Sequence, residues 1–219
     1  MLVHAPSVGV GMAGFGIGPE QFAPFGIADR HACARALETE LQPALLRVGG
    51  ELAPGLSRVV GGALAAEPGR ISRRRDAPPG EVVVAFAPGP PAPRGGPHLE
   101  LAVNRSHLHA RVEARASADR DGAMRRALER EAVNLARKGK PFRKLRSYEG
   151  WDFEHLPEVA PAHTPDFWRE LAAGLGAGRG GLSVGIAWTA EEARSLAVGD
   201  VLGTFRDLAT LYKLLANAG

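Results

Sequence analysis

Cysteine is almost missing from this chain of 219 residues, which contains only Cys33. One cysteine cannot form a disulfide within the chain, so the composition favours a reducing compartment and we expect a cytoplasmic protein. Cys33 lies in a helical pattern beside small and apolar residues, with no activating neighbour in sequence. This context is typical of a small core residue and not of a nucleophile.

Long apolar runs are missing too. No stretch approaches the roughly 18 apolar residues that a membrane-spanning helix needs, so we expect no membrane partner. The N-terminal residues are small and apolar, but they lack the basic start and the long apolar centre of a signal peptide. The sequence therefore predicts a flexible tail over 1–14, followed by a single domain over 15–216.

Aromatic residues make up only 6% of the chain and are not interleaved with basic residues. Stacking of single-stranded nucleic acid is therefore poorly supported. The spacings of a zinc finger, a nucleophile elbow, a zinc-protease helix and a Walker loop are absent from the sequence. Neither glycine-rich stretch, at 14–18 or at 174–178, is expected to follow a strand and open a helix. We predict no cofactor and no metal ion.

The elements that the sequence does indicate come in the order helices, strands, helix, strand, helices. This order favours an α+β fold, with an antiparallel or mixed sheet and helices packed against it. Asp29 is a candidate N-cap, Pro43 starts or kinks a second helix, and Gly61 ends it. The expected strands are 82–86, 98–104, 107–113, 148–153 and 182–188, the later helices are 118–137, 165–173, 191–196 and 201–215, and loops cover 88–96 and 172–181.

The two strands 98–104 and 107–113 read as a hairpin with a turn at Asn104-Arg105. That turn would pair Leu101 with Leu108 and Leu99 with Ala110, and it would place His109 opposite Glu100 and Arg111 opposite His98. The polar residues that share the other face are His98, Glu100, His107, His109, Arg111 and Glu113. Imidazole and carboxylate groups on adjacent strands can transfer protons or hold a metal, so His98, Glu100 and His107 are candidate catalytic residues. The alternative is the solvated outer face of an antiparallel sheet.

Charge is small in sum, +3 at pH 7, but it is separated along the chain. Between Arg125 and Arg146 there are nine lysines or arginines and two glutamates, whereas Glu149 to Glu158 holds four acids and no lysine or arginine. Two basic segments are candidates for binding an anion. They consist of Arg70, Arg73, Arg74 and Arg75, and of Lys138, Lys140, Arg143 and Lys144.

Arginine offers a rigid fork of donors that suits phosphate, so the two segments would together suit a polyanion if they meet in space. Such a ligand would be a nucleic acid or a phosphorylated small molecule. The alternative is an ordinary charged surface with structural ion pairs.

Several short motifs resemble the YktB-like family of small bacterial proteins of unknown function. The most specific segment carries Arg73, Arg74, Pro78, Pro79, Ala85 and Phe86, and Pro97, His98 and His107 match further positions. The resemblance covers about residues 15 to 216. It implies an α+β fold and no particular activity. The chain departs from the family pattern, with Ile71 for His, Ala77 for Asn, Val83 for Trp, and His109 and Arg111 for large apolar residues.

Three functions remain open from the sequence. The first is a binding module for a polyanion through the arginine and lysine segments. The second is a structural or interaction protein without a small-molecule site. The third is an enzyme with a His/Glu/Arg cleft on the 98–113 hairpin.

Overall fold

The structure is a computed structural model. The structure describes residues 15–71, 79–88, 96–119, 121–145, 161–177 and 181–218. The predicted tail over 1–14, the predicted strand over 148–153 and most of the predicted loop over 88–96 lie outside these residues.

Alternating and β-branched apolar residues build one antiparallel sheet. In the order β1-β2-β3-β4-β6-β5, every strand pairs antiparallel with its neighbours. The strands are β1 (Ala65–Pro68), β2 (Glu81–Ala87), β3 (His98–Asn104), β4 (His107–Arg115), β5 (Arg143–Lys144) and β6 (Gly181–Thr189). The predicted α+β fold with helices against an antiparallel sheet is confirmed.

Helices with one apolar stripe account for most of the remaining described residues. They are α1 (Pro19–Phe22), α2 (Arg30–Ala36), α3 (Gln42–Val60), α4 (Ala123–Lys138), α5 (Pro165–Gly176), α6 (Ala190–Ser195) and α7 (Val198–Ala216). A π-helical turn over Leu37–Leu41 joins α2 to α3. Within the described parts of the chain, no helix combines the length and apolar character needed to cross a membrane.

The core lies between the helices and one face of the sheet. Because side chains alternate along a strand, every second residue of β2, β3 and β4 points toward the helices. These buried apolar residues are Val82, Val84, Phe86, Leu99, Leu101, Val103, Leu108, Ala110 and Val112. The ring centroids of Phe86 on β2 and Phe205 on α7 lie 5.5 Å apart, edge to face, which ties the last helix to the sheet.

Capping residues end or begin several helices at the predicted positions. The Asp29 side chain accepts a hydrogen bond of 2.7 Å from the Ala32 amide and caps α2. Gly61 ends α3 in the left-handed conformation, with φ 80°. Cys33 on α2 is buried in the core, and burial raises the pKa of its thiol. Its predicted role as a core residue is confirmed.

Several helix bounds differ from prediction, among them the start of α7, which is Val198 instead of 201. Two of the differences have a local cause. The helix expected from 118 begins at Ala123, because both carboxylate oxygens of Asp119 accept hydrogen bonds from the Met124 and Arg125 amides, at 2.7 and 3.0 Å. The loop expected from 172 is wrong over its first part, since α5 continues to Gly176. Leu175, on the core side of α5, is buried, which offsets the low helix propensity of the surrounding glycines.

Candidate functional site

The hairpin formed by β3 and β4 has a different register from the predicted one. Its turn is Arg105-Ser106, and Leu101 pairs with Ala110 instead of Leu108. The Asn104 side-chain oxygen accepts hydrogen bonds from the amides of Ser106 and His107, at 2.9 and 2.8 Å. Asn104 thus closes the turn from the strand end, so the predicted pairing is wrong by two residues.

The corrected register pairs Glu100 with Arg111 and His98 with Glu113 across the two strands. A two-residue shift keeps every side chain on its face of the sheet, so the predicted set of polar residues does share one face. That face is buried, however. Arg111 has no exposed surface and Glu100 is 7% exposed. The alternative of a solvated outer face is therefore wrong for these strands.

Arg111 is the centre of a buried ion cluster on this face. Its Nε lies 2.8 Å from Oε2 of Glu100 and 3.3 Å from Oε2 of Glu113. Its Nη2 contacts Glu100 again and lies 3.0 Å from Oε2 of Glu81 on β2. A guanidinium without solvent needs such partners, because an isolated buried charge is strongly disfavoured. One arginine thereby connects β2, β3 and β4 through three carboxylates.

His98 extends the cluster at its edge. Its Nε2 lies 2.9 Å from Oε1 of Glu100, and its Nδ1 lies 2.7 Å from the Gly96 carbonyl oxygen. Both neighbours are hydrogen-bond acceptors when Glu100 is ionised. A neutral imidazole carries one N–H only, so this geometry fits the doubly protonated imidazolium.

The electrostatics of the pair agree with that geometry. Burial alone would lower the pKa of His98, but the hydrogen bond and the charge of Glu100 outweigh it and raise the pKa above 6.5. For Glu100, burial favours the neutral form, yet the Arg111 charge and the hydrogen bond from His98 lower the pKa to about 2. Both shifts favour the charged forms, an imidazolium beside a carboxylate.

His107, the third candidate, lies apart from this pair. It stands at the turn end of β4, whereas His98 pairs with Glu113 at the open end of the hairpin. Its Nδ1 lies 2.8 Å from the Ser106 hydroxyl. Its ring centroid is 6.0 Å from that of His109. The structure therefore brings together His98 and Glu100 but not His107. In the described part of the chain, no cluster of His, Cys, Asp and Glu side chains is arranged to hold a metal ion.

Two members of this face were not predicted from the sequence. Glu81 opens an otherwise apolar strand, and Ser183 on β6 pairs with Glu113 and is 1% exposed. A charged residue at the first position of a buried strand was the available signal for Glu81. Ser183 offers none, because a serine in a strand says nothing about its cross-strand neighbours.

The basic residues are distributed over both edges of the sheet. Arg70 follows β1, which is one edge strand, and Arg143 and Lys144 form β5, which is the other. Lys138 ends α4, and Lys140 lies in the connection to β5. Arg73, Arg74 and Arg75 lie outside the described residues. Whether the two basic segments meet is therefore left as a prediction.

The segment from Arg137 to Lys144 contains five cationic residues and no acid. Arg137, Lys138, Lys140 and Arg143 are exposed. None of these four has a carboxylate partner among the residues that the structure describes. Some other exposed arginines are paired within their own helix, as Arg47 is with Glu51 at 3.0 Å and Arg169 with Asp166 at 2.8 Å. Others, such as Arg35 and Arg58, also have no carboxylate partner in the described residues. The basic segment is therefore set apart by the close spacing of its cations and the absence of acids within it.

The geometry therefore offers two candidate sites, the buried cluster around Arg111 and the exposed cations of 137–144. No known family model matches the chain, and no curated protein matches it.

Proposed function

We propose that this chain is a binding module for a polyanionic ligand, a nucleic acid or a phosphorylated small molecule. The basic segment 137–144 is the contact surface. The observation that carries the proposal is the set of exposed cations, Arg137, Lys138, Lys140 and Arg143, without carboxylate partners in the described residues. Unpaired surface cations keep their full charge for a ligand, whereas an ion pair with a neighbouring acid would have to be broken first.

The affinity of such a surface comes from phosphate contacts. Each lysine or arginine that neutralises a phosphate releases a condensed counterion, which makes binding to a nucleic acid strongly dependent on salt. The guanidinium of Arg143 can contact a phosphate through two parallel hydrogen bonds, while Lys140 contributes a compact charge. With few aromatic residues in the chain, these contacts favour the backbone and not the bases.

The second basic segment, Arg70 with Arg73, Arg74 and Arg75, has a geometric consequence for the ligand. β1 and β5 are separated by five strand-to-strand steps, which is about 24 Å along the sheet. A ligand that touches both Arg70 and Arg143 must span this distance. A nucleic acid does so and a single nucleotide does not, so participation of Arg70 favours the polymer.

The salt dependence of binding tests the proposal. Anisotropy of a fluorescein-labelled 20-nucleotide single strand and of the matching duplex is measured between 50 and 300 mM NaCl. Replacing Lys140 and Arg143 by alanine removes two phosphate contacts. The slope of log K against log salt should then fall by about two.

A double variant of equal charge change provides the control. Arg35→Ala with Arg58→Ala removes two exposed arginines on α2 and α3, outside the basic segment, and should leave the slope nearly unchanged. An affinity that does not change with ionic strength would contradict the proposal. Equal slopes of log K against log salt in both double variants would contradict it too. Calorimetric binding of ATP, without binding of either oligonucleotide, would assign the surface to a small phosphorylated ligand.

An enzyme is the second candidate, and the His98–Glu100 pair is the observation that favours it. An imidazolium held by a carboxylate at the edge of a buried cluster is suited to act as a general acid. Hydrolysis of p-nitrophenyl phosphate and of bis(p-nitrophenyl) phosphate tests this reading. A rate that His98→Gln abolishes would support it, and no rate above buffer for either ester would count against it.

A further inference from the structure

A groove lies between the C-terminal halves of α4 and α7. Its volume is about 360 Å³, which is in the usual range of small-molecule sites. Leu135, Leu214 and Ala218 supply apolar lining, and Leu135 is buried while Leu214 is partly buried. Polar and charged side chains of both helices complete the lining. The groove therefore combines an apolar surface with charged groups.

The charges of the groove are mostly positive. Arg130, Lys138 and Lys213 line it together with one acid, Glu131. That carboxylate already accepts hydrogen bonds from Asn134 at 2.8 Å and from Arg130 at 3.4 Å. These two hydrogen bonds lower the pKa of Glu131, so its carboxylate stays ionised and is already engaged by Asn134 and Arg130. The two lysines remain as the cations not engaged by this acid.

Each of these lysines donates one hydrogen bond to another described residue. Lys138 Nζ donates to the Thr210 hydroxyl at 3.4 Å, and Lys213 Nζ donates to the Val59 carbonyl at the end of α3, at 2.9 Å. An ammonium group has three N–H donors. Neither lysine has a carboxylate partner in the described part of the chain. Donors are thus available at both lysines for an anionic group in the groove.

We infer that this groove binds an organic anion that carries a carboxylate on an apolar body. The apolar body is recognised by Leu135, Leu214 and Ala218, and the carboxylate by Lys138 and Lys213. Cations in the last turn of a helix also stabilise the helix dipole, which accounts for the position of both lysines on α4 and α7. It does not account for an apolar groove between them. The site shares Lys138 with the proposed polyanion surface but differs from it otherwise, since Lys140 and Arg143 do not line the groove.

Calorimetric titration with sodium decanoate tests the inference. Decan-1-ol, which keeps the apolar body without the charge, and butyrate, which keeps the charge with a short body, are the comparison ligands. One decanoate per chain should bind, and both comparison ligands should bind at least fivefold more weakly. Lys213→Ala should weaken decanoate binding about five- to tenfold, whereas Lys140→Ala, with the same charge change outside the groove, should not.

A variant whose side chain fills the groove provides an independent test. Ala218→Trp places an indole at the apolar end and should weaken decanoate binding, while Ala173→Trp at an exposed position of α5 should not. The inference is overturned if decanoate shows no saturation below about 1 mM. Equal binding of decanol, or equal effects of Lys213→Ala and Lys140→Ala, would overturn it too. Decanoate binding without oligonucleotide binding would refute the polyanion proposal alone, and the reverse result would refute the groove alone.

Discussion

His98 and Glu100 lie two residues apart on β3 and share a hydrogen bond of 2.9 Å between Nε2 and Oε1. On the other side of the ring, the Gly96 carbonyl oxygen lies 2.7 Å from Nδ1. The imidazole is thus placed between two acceptors, with Glu113 opposite on β4 and Arg111 beyond Glu100. Folding therefore favours the protonated ring, and the stability of the protein is linked to the charge of His98.

The first prediction concerns alkaline pH. Because the pKa of folded His98 is raised above its unfolded value of 6.5, its contribution is fully present below pH 6.5 and is lost as the pH rises through the folded pKa. The free energy of unfolding should therefore fall between pH 6 and 9, because the folded state binds this proton more tightly than the unfolded state does. Urea unfolding at four pH values measures it. In His98→Gln the free energy of unfolding should not show this part of the decline. Parallel pH profiles of the variant and the wild type would refute the linkage to His98.

The second prediction concerns acid. The pKa of Glu100 is about 2 in the folded protein, against an ordinary value of 4.5. A depressed carboxyl pKa stabilises the fold above 4.5, and the contribution is lost as the pH falls from 4.5 toward 2. Glu100→Gln should be less stable than the wild type at neutral pH, and the difference should narrow below pH 4.5. A difference that stays constant down to pH 2 would contradict the linkage. Thermal unfolding between pH 2 and 7 measures it.

The third prediction concerns Arg111. Truncation to alanine leaves Glu81, Glu100 and Glu113 without their shared cation, so Arg111→Ala should cost about 3–5 kcal/mol in the free energy of unfolding. Arg111→Lys should recover only part of this loss, because an ammonium cannot reproduce the planar fork. Denaturant unfolding of both variants provides the measurement.

The exposed pair of Arg47 and Glu51 serves as the reference for Arg111. It is an i,i+4 pair on α3 with a separation of 3.0 Å. Arg47→Ala should cost no more than about 0.5 kcal/mol. If Arg111→Ala cost as little, the ion cluster would not be a determinant of stability in this fold.

Much of the fold was accessible from the sequence because local signals were strong. The hairpin strands, the Asp29 cap and the Gly61 stop depend on side-chain alternation and on end chemistry within a few residues. β1 and β5 were missed because both are short edge strands. β1 has the sequence Ala-Ala-Glu-Pro and β5 consists of only two residues, so neither shows an alternating pattern.

The candidate site was only partly accessible for a different reason. Alternation placed His98, Glu100 and Arg111 on one face, and this was correct. Alternation could not show that this face is buried, because burial depends on which residues pack over the face and not on the spacing of side chains along the strand. The register depended on the Asn104 side chain, which binds the amides of Ser106 and His107, and the dipeptide Asn-Arg gave the wrong turn. Convergence of the two basic segments is a tertiary property that no local pattern encodes.

The fourth prediction concerns Gly185 on β6, which pairs with Arg111. A Cβ at this position would meet the Ala110 carbonyl oxygen and would lie 2.7 Å from Arg111 Cα and 2.8 Å from its Cβ. Backbone atoms of β4 cannot move away without displacing the ion cluster. Gly185→Ala should therefore cost about 1–3 kcal/mol through overpacking.

Gly203 on α7 supplies the matched control, since a Cβ there meets no atom within 4 Å. In a helix interior the same substitution reduces the freedom of the unfolded chain, so Gly203→Ala should stabilise by about 0.4–1 kcal/mol. In urea unfolding, the two substitutions should therefore change the free energy of unfolding in opposite directions. If Gly185→Ala were neutral, the close contact between β6 and the Arg111 backbone would be refuted. If instead Gly185→Ala is destabilising and also flattens the alkaline decline in stability, the strand and the His98–Glu100 pair are coupled through Arg111.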